Sequence, residues 1–385
     1  MGLQTKLKEL GKTARFDVCG YPQVFLRHKR SERFSFIYQA TGEGGRSVRL
    51  FKVLKTNQCE KNCYYCANRK DRNFSRLSFT ATELADLFMK YYTDGLVEGC
   101  FLSSAINGSP DKSQEELIET LYILRKKYRY KGYIHTKILP EASKELIYEA
   151  SKYSDRLSIN LEVPGQNYLT EISPTKNFAR LLSKLREILA FHSKKPLKSG
   201  VTTQFIVGSS GESDKIIINL ASRLYQDFNL NRVYYSGFIP IEGTPLENNA
   251  PCLPNREYRL YQADFLLRKY RFTAAELPFD EKGNLPKEVD PKLAWAQLHP
   301  EFFPVEVNRA SFDELIRVPG IGRISAKRIL ETRKESKIKT LEALRKFRAV
   351  VSKARNYLTF DGRWLPRKES SNKLQKKQLF LWEEL

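Results

Sequence analysis

A regular alternation of short apolar strands and helical segments occupies residues 47–271 and limits the fold more than any other feature. The strands are rich in β-branched and apolar residues, and helical periodicity follows each of them. The predicted strands cover residues 47–54, 99–104, 132–138, 156–163, 199–207 and 231–238, and the predicted helices cover residues 80–94, 113–130, 141–152, 176–193, 213–228 and 255–271. Such alternation is typical of a parallel sheet with helices outside it. Because six units are too few for a closed eight-stranded barrel, we predict an α/β fold with a partial (β/α)6 TIM-like barrel; a doubly wound open sheet is the alternative.

Three cysteines follow the first predicted strand. Cys59, Cys63 and Cys66 have the spacing C-x3-C-x2-C, which lets three thiols converge on one point without a fourth ligand. Iron–sulfur clusters are ordinarily held by four thiolates, so this loop suits a cluster with one iron left open to a small molecule. A structural zinc site is the alternative, although it requires four ligands and the four histidines all lie far from the motif in sequence.

The cysteine motif resembles that of the radical S-adenosylmethionine (SAM) superfamily. The resemblance implies two cofactors, a [4Fe–4S] cluster held by Cys59, Cys63 and Cys66, and SAM bound at the open iron. It also implies that reductive cleavage of SAM yields a 5′-deoxyadenosyl radical, which abstracts hydrogen from a substrate. Tyr65, which immediately precedes the third cysteine, is implied to pack against the adenine.

Further SAM contacts are implied at the carboxyl ends of the other strands. A serine pair replaces the Gly-Gly-Glu-like segment of the family at the second strand. Side chains alternate along a strand, so Ser158, Asn160 and Glu162 are expected to share one face, and Glu162 either contacts SAM or forms an ion pair with Lys137. His135 lies on the same face of the third strand as Lys137, and both are expected to point into the barrel mouth or to pair with a phosphate, with a structural role as the alternative. The implied SAM-binding residues are Tyr65, Ser103, Ser104, Asn160, Glu162, Gln204 and Gly208.

A second motif occupies residues 311–329. Ser311 and Glu314 form a predicted capping box at a helix start, and the segment from Val318 to Ile329 resembles the helix-hairpin-helix motif, whose two glycines permit a sharp turn. Amides at such a turn and helix start can bind a phosphate oxygen; a hairpin used only for packing or protein contact is the alternative. Residues 340–358 resemble a degenerate second half without glycines. The implied nucleic-acid-binding residues are Gly320, Ile321, Gly322, Arg323, Ser325, Lys327 and Arg328.

The chain carries a formal net charge of +22 at pH 7, which is typical of proteins that meet polyphosphate. No apolar run reaches the roughly 20 residues needed to span a bilayer, and the first residues do not resemble a signal peptide. We therefore expect a cytoplasmic protein with no membrane partner. Cys19, Cys100 and Cys252 are expected to be buried or incidental thiols, with Cys19 as an alternative cluster ligand.

The composition and motifs divide the chain into five predicted regions. These are an N-terminal extension at 1–45, a radical SAM partial barrel at 46–275, a linker at 276–308, a small all-α helix-hairpin-helix domain at 309–366 and a basic tail at 367–385.

The two motifs together resemble the DNA modification or repair radical SAM proteins, over roughly residues 45–365. The resemblance implies a radical SAM enzyme that modifies or repairs DNA beside a uracil-DNA-glycosylase-like partner. We also expect an electron donor such as flavodoxin or ferredoxin. Radical modification of RNA, in particular tRNA, and a non-catalytic iron–sulfur DNA-binding protein are the alternatives. The sequence assigns no catalytic residue and no target atom.

Overall fold

The computed structural model describes residues 2–16, 36–41 and 47–364. Cys19 and the predicted basic tail lie outside the described residues. Internal contacts divide the chain into two units, the first comprising Met1–Asp264 with Glu281–Leu285 and the second Phe265–Asp280 with Pro286–Leu385. None of the described helices combines the length and the apolar character needed to cross a membrane. The predicted domain limits remain predictions.

The described residues of the first unit form a seven-stranded sheet in the sequential order β1 to β7. Six of its strands, β2 to β7, pair in parallel, as the sequence predicts. An unpredicted strand, β1, pairs antiparallel with β2 at one edge. The strands are β1 (Ile37–Thr41), β2 (Ser47–Leu54), β3 (Gly99–Ser103), β4 (Tyr133–Lys137), β5 (Arg156–Ser158), β6 (Val201–Val207) and β7 (Arg232–Gly237).

The parallel strands curl into a half-barrel. Leu54 at the end of β2 and Ser236 in β7 line the same cavity, although four strands separate them in the sheet order. In a flat sheet they would be about 24 Å apart, since neighbouring strands are spaced by about 4.8 Å. The predicted partial barrel is therefore confirmed, and the open-sheet alternative is wrong.

Helices connect the successive strands, and side-chain caps determine several of their starts. Thr80 and Glu83 form a capping box at α2, and Ser109 and Asn177 accept backbone amides at α3 and α6, which typically contributes about 1 kcal/mol per cap. The helices of this region are α1 (Leu3–Thr13), α2 (Ala81–Thr93), α3 (Pro110–Tyr122), which continues into a π-helical turn (Ile123–Lys127), α4 (Lys144–Tyr153), α5 (Gln166–Ile172), α6 (Phe178–Lys194), α7 (Asp214–Phe228) and α8 (Pro254–Lys269).

Strand β5 is shorter than the sequence predicts, because regular pairing stops after Ser158. The amide of Leu161 donates to the hydroxyl of Thr203 at 3.1 Å, and Glu162 has a left-handed backbone with φ of 69°. The expected strand face is therefore met only in part: Asn160 and Glu162 both line the cavity, whereas Ser158 does not and lies at the end of the regular strand. A single bridge between Glu162 and Phe205 keeps the extension beside β6.

The second unit contains the predicted capping box, with Ser311 accepting the Glu314 amide at 3.2 Å. It was expected to be all-α, but its described residues also form a three-stranded sheet. The Glu306 carboxylate explains this difference, since it accepts the amides of Asp361 and Gly362 and holds their turn beside β8. The elements are α9 (Pro291–Leu298), β8 (Val305–Glu306), α10 (Phe312–Arg317), α11 (Arg323–Glu335), α12 (Leu341–Lys346), α13 (Val351–Ala354), β9 (Leu358–Phe360) and β10 (Arg363–Trp364).

Candidate cofactor site and nucleic-acid hairpin

A cavity lies at the carboxyl ends of the six parallel strands. All three motif cysteines line it, together with most of the predicted SAM-binding residues. Its polar lining is Thr13, Cys59, Lys61, Cys63, Tyr65, Cys66, Asn68, Ser103, Ser104, Lys137, Asn160, Glu162, Lys176, Gln204 and Ser236. A site in this position agrees with the general location of chemistry in barrels built from parallel strands.

The cysteine loop is held in shape by Arg76, which sequence reasoning missed. Its guanidinium donates to five backbone carbonyls at 2.6 to 3.0 Å and stacks on Phe74, with 3.8 Å between the guanidinium carbon and the ring centroid. Asn57 holds the start of the loop by accepting the amide of Leu77 at 2.7 Å. The carbonyls bonded to Arg76 are those of Asn57, Asn68, Arg69, Lys70 and Arg72.

The three thiols are chemically suited to a cluster. They are free of disulfides, and the hydroxyl of Ser173 lies 3.1 Å from the Cys63 Sγ. Burial, followed by the neighbouring thiols Cys63 and Cys59, raises the pKa of Cys66 to about 12, so a metal that binds here displaces protons. No three His, Cys, Asp or Glu side chains of the described residues are placed to hold a metal ion. A [4Fe–4S] cluster takes each cysteine on a different iron, so it does not require the three sulfurs to meet at one ion.

Lys176 connects two of the predicted SAM-binding residues. Its Nζ lies 2.9 Å from the Oε1 of Glu162 and 3.1 Å from the Oη of Tyr65. Burial alone would raise the pKa of Glu162, but Lys176 and then Lys137 outweigh it and hold this pKa below its usual value. Burial and then Glu162 raise the pKa of Tyr65 well above its usual range. The hydrogen-bonded ion pair of Glu162 is thus with Lys176, and the expected partner, Lys137, contributes charge from nearby.

Two buried polar atoms in the cavity wall have no protein partner. The Oδ1 of Asn68 and the Oγ of Ser104 make no hydrogen bond within the described residues. Buried polar atoms in folded proteins are nearly always bonded, so these two suit a polar ligand in the cavity. Asn68 was not predicted, although its place two residues after the last cysteine could have indicated it.

Of the remaining predicted SAM contacts, three line the cavity and one does not. Ser103 and Asn160 line the cavity, as does Gln204, whose amide donates to the Phe16 carbonyl at 3.0 Å. Gly208 does not line it; its backbone has φ of 83°, and a Cβ there would lie 3.2 Å from Cys252. Gly208 therefore serves the turn after β6, since this backbone conformation favours glycine.

His135 is buried inside the half-barrel and does not point into the mouth as expected. Its Nε2 lies 2.8 Å from the Oγ of Ser158, and its ring centroid lies 4.3 Å from that of Phe101. Burial, followed by the charges of Arg156 and Lys52, lowers its pKa well below the usual value. The imidazole is therefore neutral near pH 7.

The N-terminal segment contributes to the cavity, which the sequence did not indicate. Thr13 and Phe16 line it. Helix α1 is attached to the barrel by an ion pair of 2.8 Å between Lys6 and Glu83 and by a hydrogen bond of 3.2 Å from Tyr38 to the Gly11 carbonyl.

Cys100 and Cys252 lie outside the cavity lining. Cys100 is fully buried, and burial raises its pKa far above the usual value. Burial also raises the pKa of the half-buried Cys252 to about 12. Both therefore agree with the expectation of buried or incidental thiols.

The second site is the turn between α10 and α11. Gly320 has φ of 81°, and a Cβ there would lie 2.3 Å from the Val350 carbonyl oxygen. The amide of Val350 also donates to the Gly320 carbonyl at 2.8 Å, so the turns of the two hairpin halves are bonded together. Gly322 caps α11, and the degenerate second half replaces glycine by Arg348, which has φ of 67°.

Two side chains from earlier in the second unit support this turn. Lys292 donates to the Ile321 carbonyl at 2.6 Å, and its Nζ lies 4.9 Å from the centroid of the Tyr270 ring. Burial lowers the pKa of Lys292 to about 7. The Tyr270 hydroxyl faces the amide of Arg323 at the start of α11. Neither side chain was predicted.

The predicted nucleic-acid contacts divide into two groups. Arg323 and Lys327 are exposed and Arg328 is half-buried, and none of the three forms an ion pair among the described residues. The side chains of Ile321 and Ser325 are buried, with exposures of 1% and 2%. These two side chains are therefore not available to a nucleic acid, and the Ile321 amide already donates to the Val318 carbonyl at 3.1 Å.

The fold and the cavity define a class: half-barrel proteins with a three-cysteine loop at the carboxyl ends of their strands. Residues 53–224 match the family model of the Radical SAM superfamily, and residues 302–356 match that of the helix-hairpin-helix motif. The chain thus contains a radical SAM domain and a helix-hairpin-helix motif. Proteins of the radical SAM family bind a [4Fe–4S] cluster and SAM, and the hairpin motif suggests nucleic-acid binding.

Curated relatives include biotin synthases. The enzyme of Leptospira interrogans is 23% identical over 210 residues, which is 54% of this chain and 56% of the relative. That of Persephonella marina is 31% identical over 102 residues, 26% of this chain and 28% of the relative. The matched region therefore spans little more than half the length of the first of these relatives and little more than a quarter of the second.

Similar solved structures include two other enzymes. Methylornithine synthase aligns with a TM-score of 0.46 at 15% identity, covering 56% of this chain and 60% of that chain. The FeFe-hydrogenase maturase from Carboxydothermus hydrogenoformans aligns with a TM-score of 0.45 at 16% identity, covering 56% and 50%.

Proposed function

We propose that this protein is a radical SAM enzyme that modifies or repairs DNA. The observation that supports it is the presence in one chain of two separate features. One is a cavity that combines three free thiols with unbonded polar atoms, and the other is a glycine turn flanked by exposed Arg and Lys side chains.

In this proposal Cys59, Cys63 and Cys66 hold the cluster. When bound, the cluster and SAM supply a radical that abstracts hydrogen from the substrate. The SAM-facing residues are Tyr65, Asn68, Ser103, Ser104, Asn160, Glu162 and Gln204, all of which line the cavity. The Lys176 bonds keep Tyr65 and Glu162 in place, and the apolar side chains of Leu54 and Ile106 in the wall limit access of water.

Reductive cleavage of SAM tests the enzymatic part. Anaerobically reconstituted full-length protein should form 5′-deoxyadenosine when reduced in the presence of SAM. Serine at Cys59, Cys63 or Cys66 should abolish both the cluster absorbance and this product, whereas Cys19→Ser should retain them. A wild-type protein that carries the cluster but forms no 5′-deoxyadenosine would favour the non-catalytic alternative.

The nucleic-acid part is proposed for the hairpin. Its exposed Arg and Lys side chains can contact the phosphate backbone of a nucleic acid. Such contacts position a protein without reading the base sequence. Binding of duplex DNA should therefore weaken with salt. The double substitution Arg323→Ala with Lys327→Ala should weaken it about tenfold, whereas Lys334→Ala, which removes an exposed charge from the last turn of the same helix, should change it less than threefold.

The choice between DNA and RNA is tested by the same variants. Duplex DNA and tRNA are compared at matched salt, and a larger loss for DNA supports the proposal. An equal loss for both, or a larger loss for tRNA, would favour the RNA alternative. We further propose a flavodoxin- or ferredoxin-like electron donor, a uracil-DNA-glycosylase-like partner and a cytoplasmic location, each motivated by the resemblance described above.

A further inference from the structure

We propose that the hydroxyl of Ser173 raises the reduction potential of the cluster by donating a hydrogen bond to the sulfur of Cys63. This inference rests on the proposed assignment of the three cysteines as cluster ligands. It makes Ser173 a positioning residue, because it acts through a ligand and has no contact with substrate in this scheme.

Residues 172–176, here called the clamp segment, contact the cysteine loop at successive points. The carbonyl of Ile172 accepts the amide of Tyr64 at 2.8 Å, and the Oγ of Ser173 lies 3.1 Å from the Cys63 Sγ. Lys176 then reaches the Tyr65 hydroxyl at 3.1 Å. Three residues of the segment thus bond to three consecutive residues of the loop, 63 to 65. Ser173, which lies between α5 and α6, is the one that contacts the buried Cys63.

The geometry makes Ser173 the donor. Its residue is fully buried, its amide is bonded to the Leu169 carbonyl at 2.7 Å, and its carbonyl accepts the Lys176 amide at 3.1 Å. Within the described residues its hydroxyl has no partner other than Cys63. A thiolate sulfur has no proton to give, so the Ser173 O–H must point toward it once Cys63 is a ligand.

A donor on a ligating sulfur favours the reduced cluster. Reduction adds one electron from the external donor, and the additional negative charge is shared by the irons and their sulfurs. A hydrogen bond to sulfur stabilises the more negative state more strongly, and the potential rises. The effect is larger in a buried site, where water cannot screen it.

The Lys176 ammonium contributes less to this effect. Its charge is offset by the Glu162 carboxylate 2.9 Å away, so the pair as a whole is neutral. The Ser173 hydroxyl has no such compensating group. The inference therefore concerns Ser173 alone.

The test is an anaerobic redox titration of the reconstituted full-length chain without SAM, followed by electron paramagnetic resonance of the reduced cluster. Ser173→Ala should make reduction about tenfold less favourable, which lowers the midpoint potential by about 59 mV for one electron. Ser173→Thr retains the hydroxyl and should restore the wild-type potential. Thr170→Ala is the matched control, because its hydroxyl lies one turn earlier in α5 and donates to the Gln166 carbonyl at 3.0 Å.

Iron and sulfide content, measured on every variant, separates the possible outcomes. A full cluster with equal potentials in wild type and Ser173→Ala overturns the inference while leaving the proposed function intact. Loss of the cluster in Ser173→Ala alone overturns it too, since the hydroxyl would then serve assembly. A cluster that survives in all three cysteine variants would overturn the ligand assignment itself, and the inference with it.

Discussion

The Nζ of Lys176 lies 2.9 Å from the Oε1 of Glu162, with side-chain exposures of 10% and 6%. The two residues come from different connections, one before α6 and the other after β5, and meet in the cavity wall beside the cysteine loop. A buried ion pair of this kind adds little net stability, but removal of one partner leaves an uncompensated charge.

Lys176→Met should therefore destabilise the protein by about 3 kcal/mol. The double variant Lys176→Met with Glu162→Gln removes both charges and should recover at least half of that loss. Urea denaturation at pH 7, followed by circular dichroism, measures both. If the double variant is as unstable as the single one, the loss comes from packing and not from the unpaired carboxylate.

Arg76→Lys should reduce the iron content of the reconstituted protein at least twofold. A lysine ammonium cannot reproduce the planar guanidinium that reaches five loop carbonyls, so the cysteine loop loses its shape. Iron is measured per folded chain, and Arg223→Lys serves as the control because Arg223 is 75% exposed. Equal iron content in the two variants would contradict this role.

Gly320→Ala should destabilise the second unit by about 2 kcal/mol or more. The substitution places a side chain at a positive φ and within 2.3 Å of the Val350 oxygen. Gly322→Ala should cost about 1 kcal/mol or less, the expected penalty at a helix cap, since its Cβ would lie 3.5 Å from the nearest atom, the Tyr270 hydroxyl oxygen. Tryptophan fluorescence reports on this unit, because all tryptophans lie at or after residue 295; equal effects would contradict the structure of the turn.

The stability of the second unit should rise between pH 7.5 and pH 9.5. The folded-state pKa of Lys292 is lowered to about 7 by burial, so the unfolded chain binds the additional proton in this range and stability increases with pH. The gain is at most about 1.4 kcal/mol per pH unit. Urea denaturation at the two pH values measures the slope, which Lys292→Met should flatten and Lys334→Met should leave unchanged.

Local sequence patterns were sufficient to predict much of the fold, the cysteine loop of the cavity and the glycine turn of the hairpin. Strand β2 (Ser47–Leu54) agrees with its predicted range because five of its eight residues are apolar and the cysteine loop follows it directly. The capping box at Ser311 and the glycine that permits a left-handed backbone at position 320 are likewise local features of the sequence. Such features are encoded within a few residues of where they act.

The N-terminal helix shows where local patterns are insufficient. Nothing within residues 2–16 indicates a role in the cavity, since Thr13 and Phe16 reach it only because α1 docks on the barrel through Lys6 and Tyr38. The early end of β5 has the same origin, because the Thr203 hydroxyl that bonds Leu161 belongs to another strand.

The sequence by itself determined the half-barrel, the three-cysteine loop and the glycine hairpin, because hydrophobic periodicity, cysteine spacing and backbone freedom are local properties. Only the tertiary structure decided what surrounds them. Ser173 reaches Cys63 across 110 positions of sequence, and Lys176 bonds Glu162 in preference to the expected Lys137. These contacts depend on how the connections after β5 fold over the cavity, and no periodicity or residue spacing in the sequence indicates them.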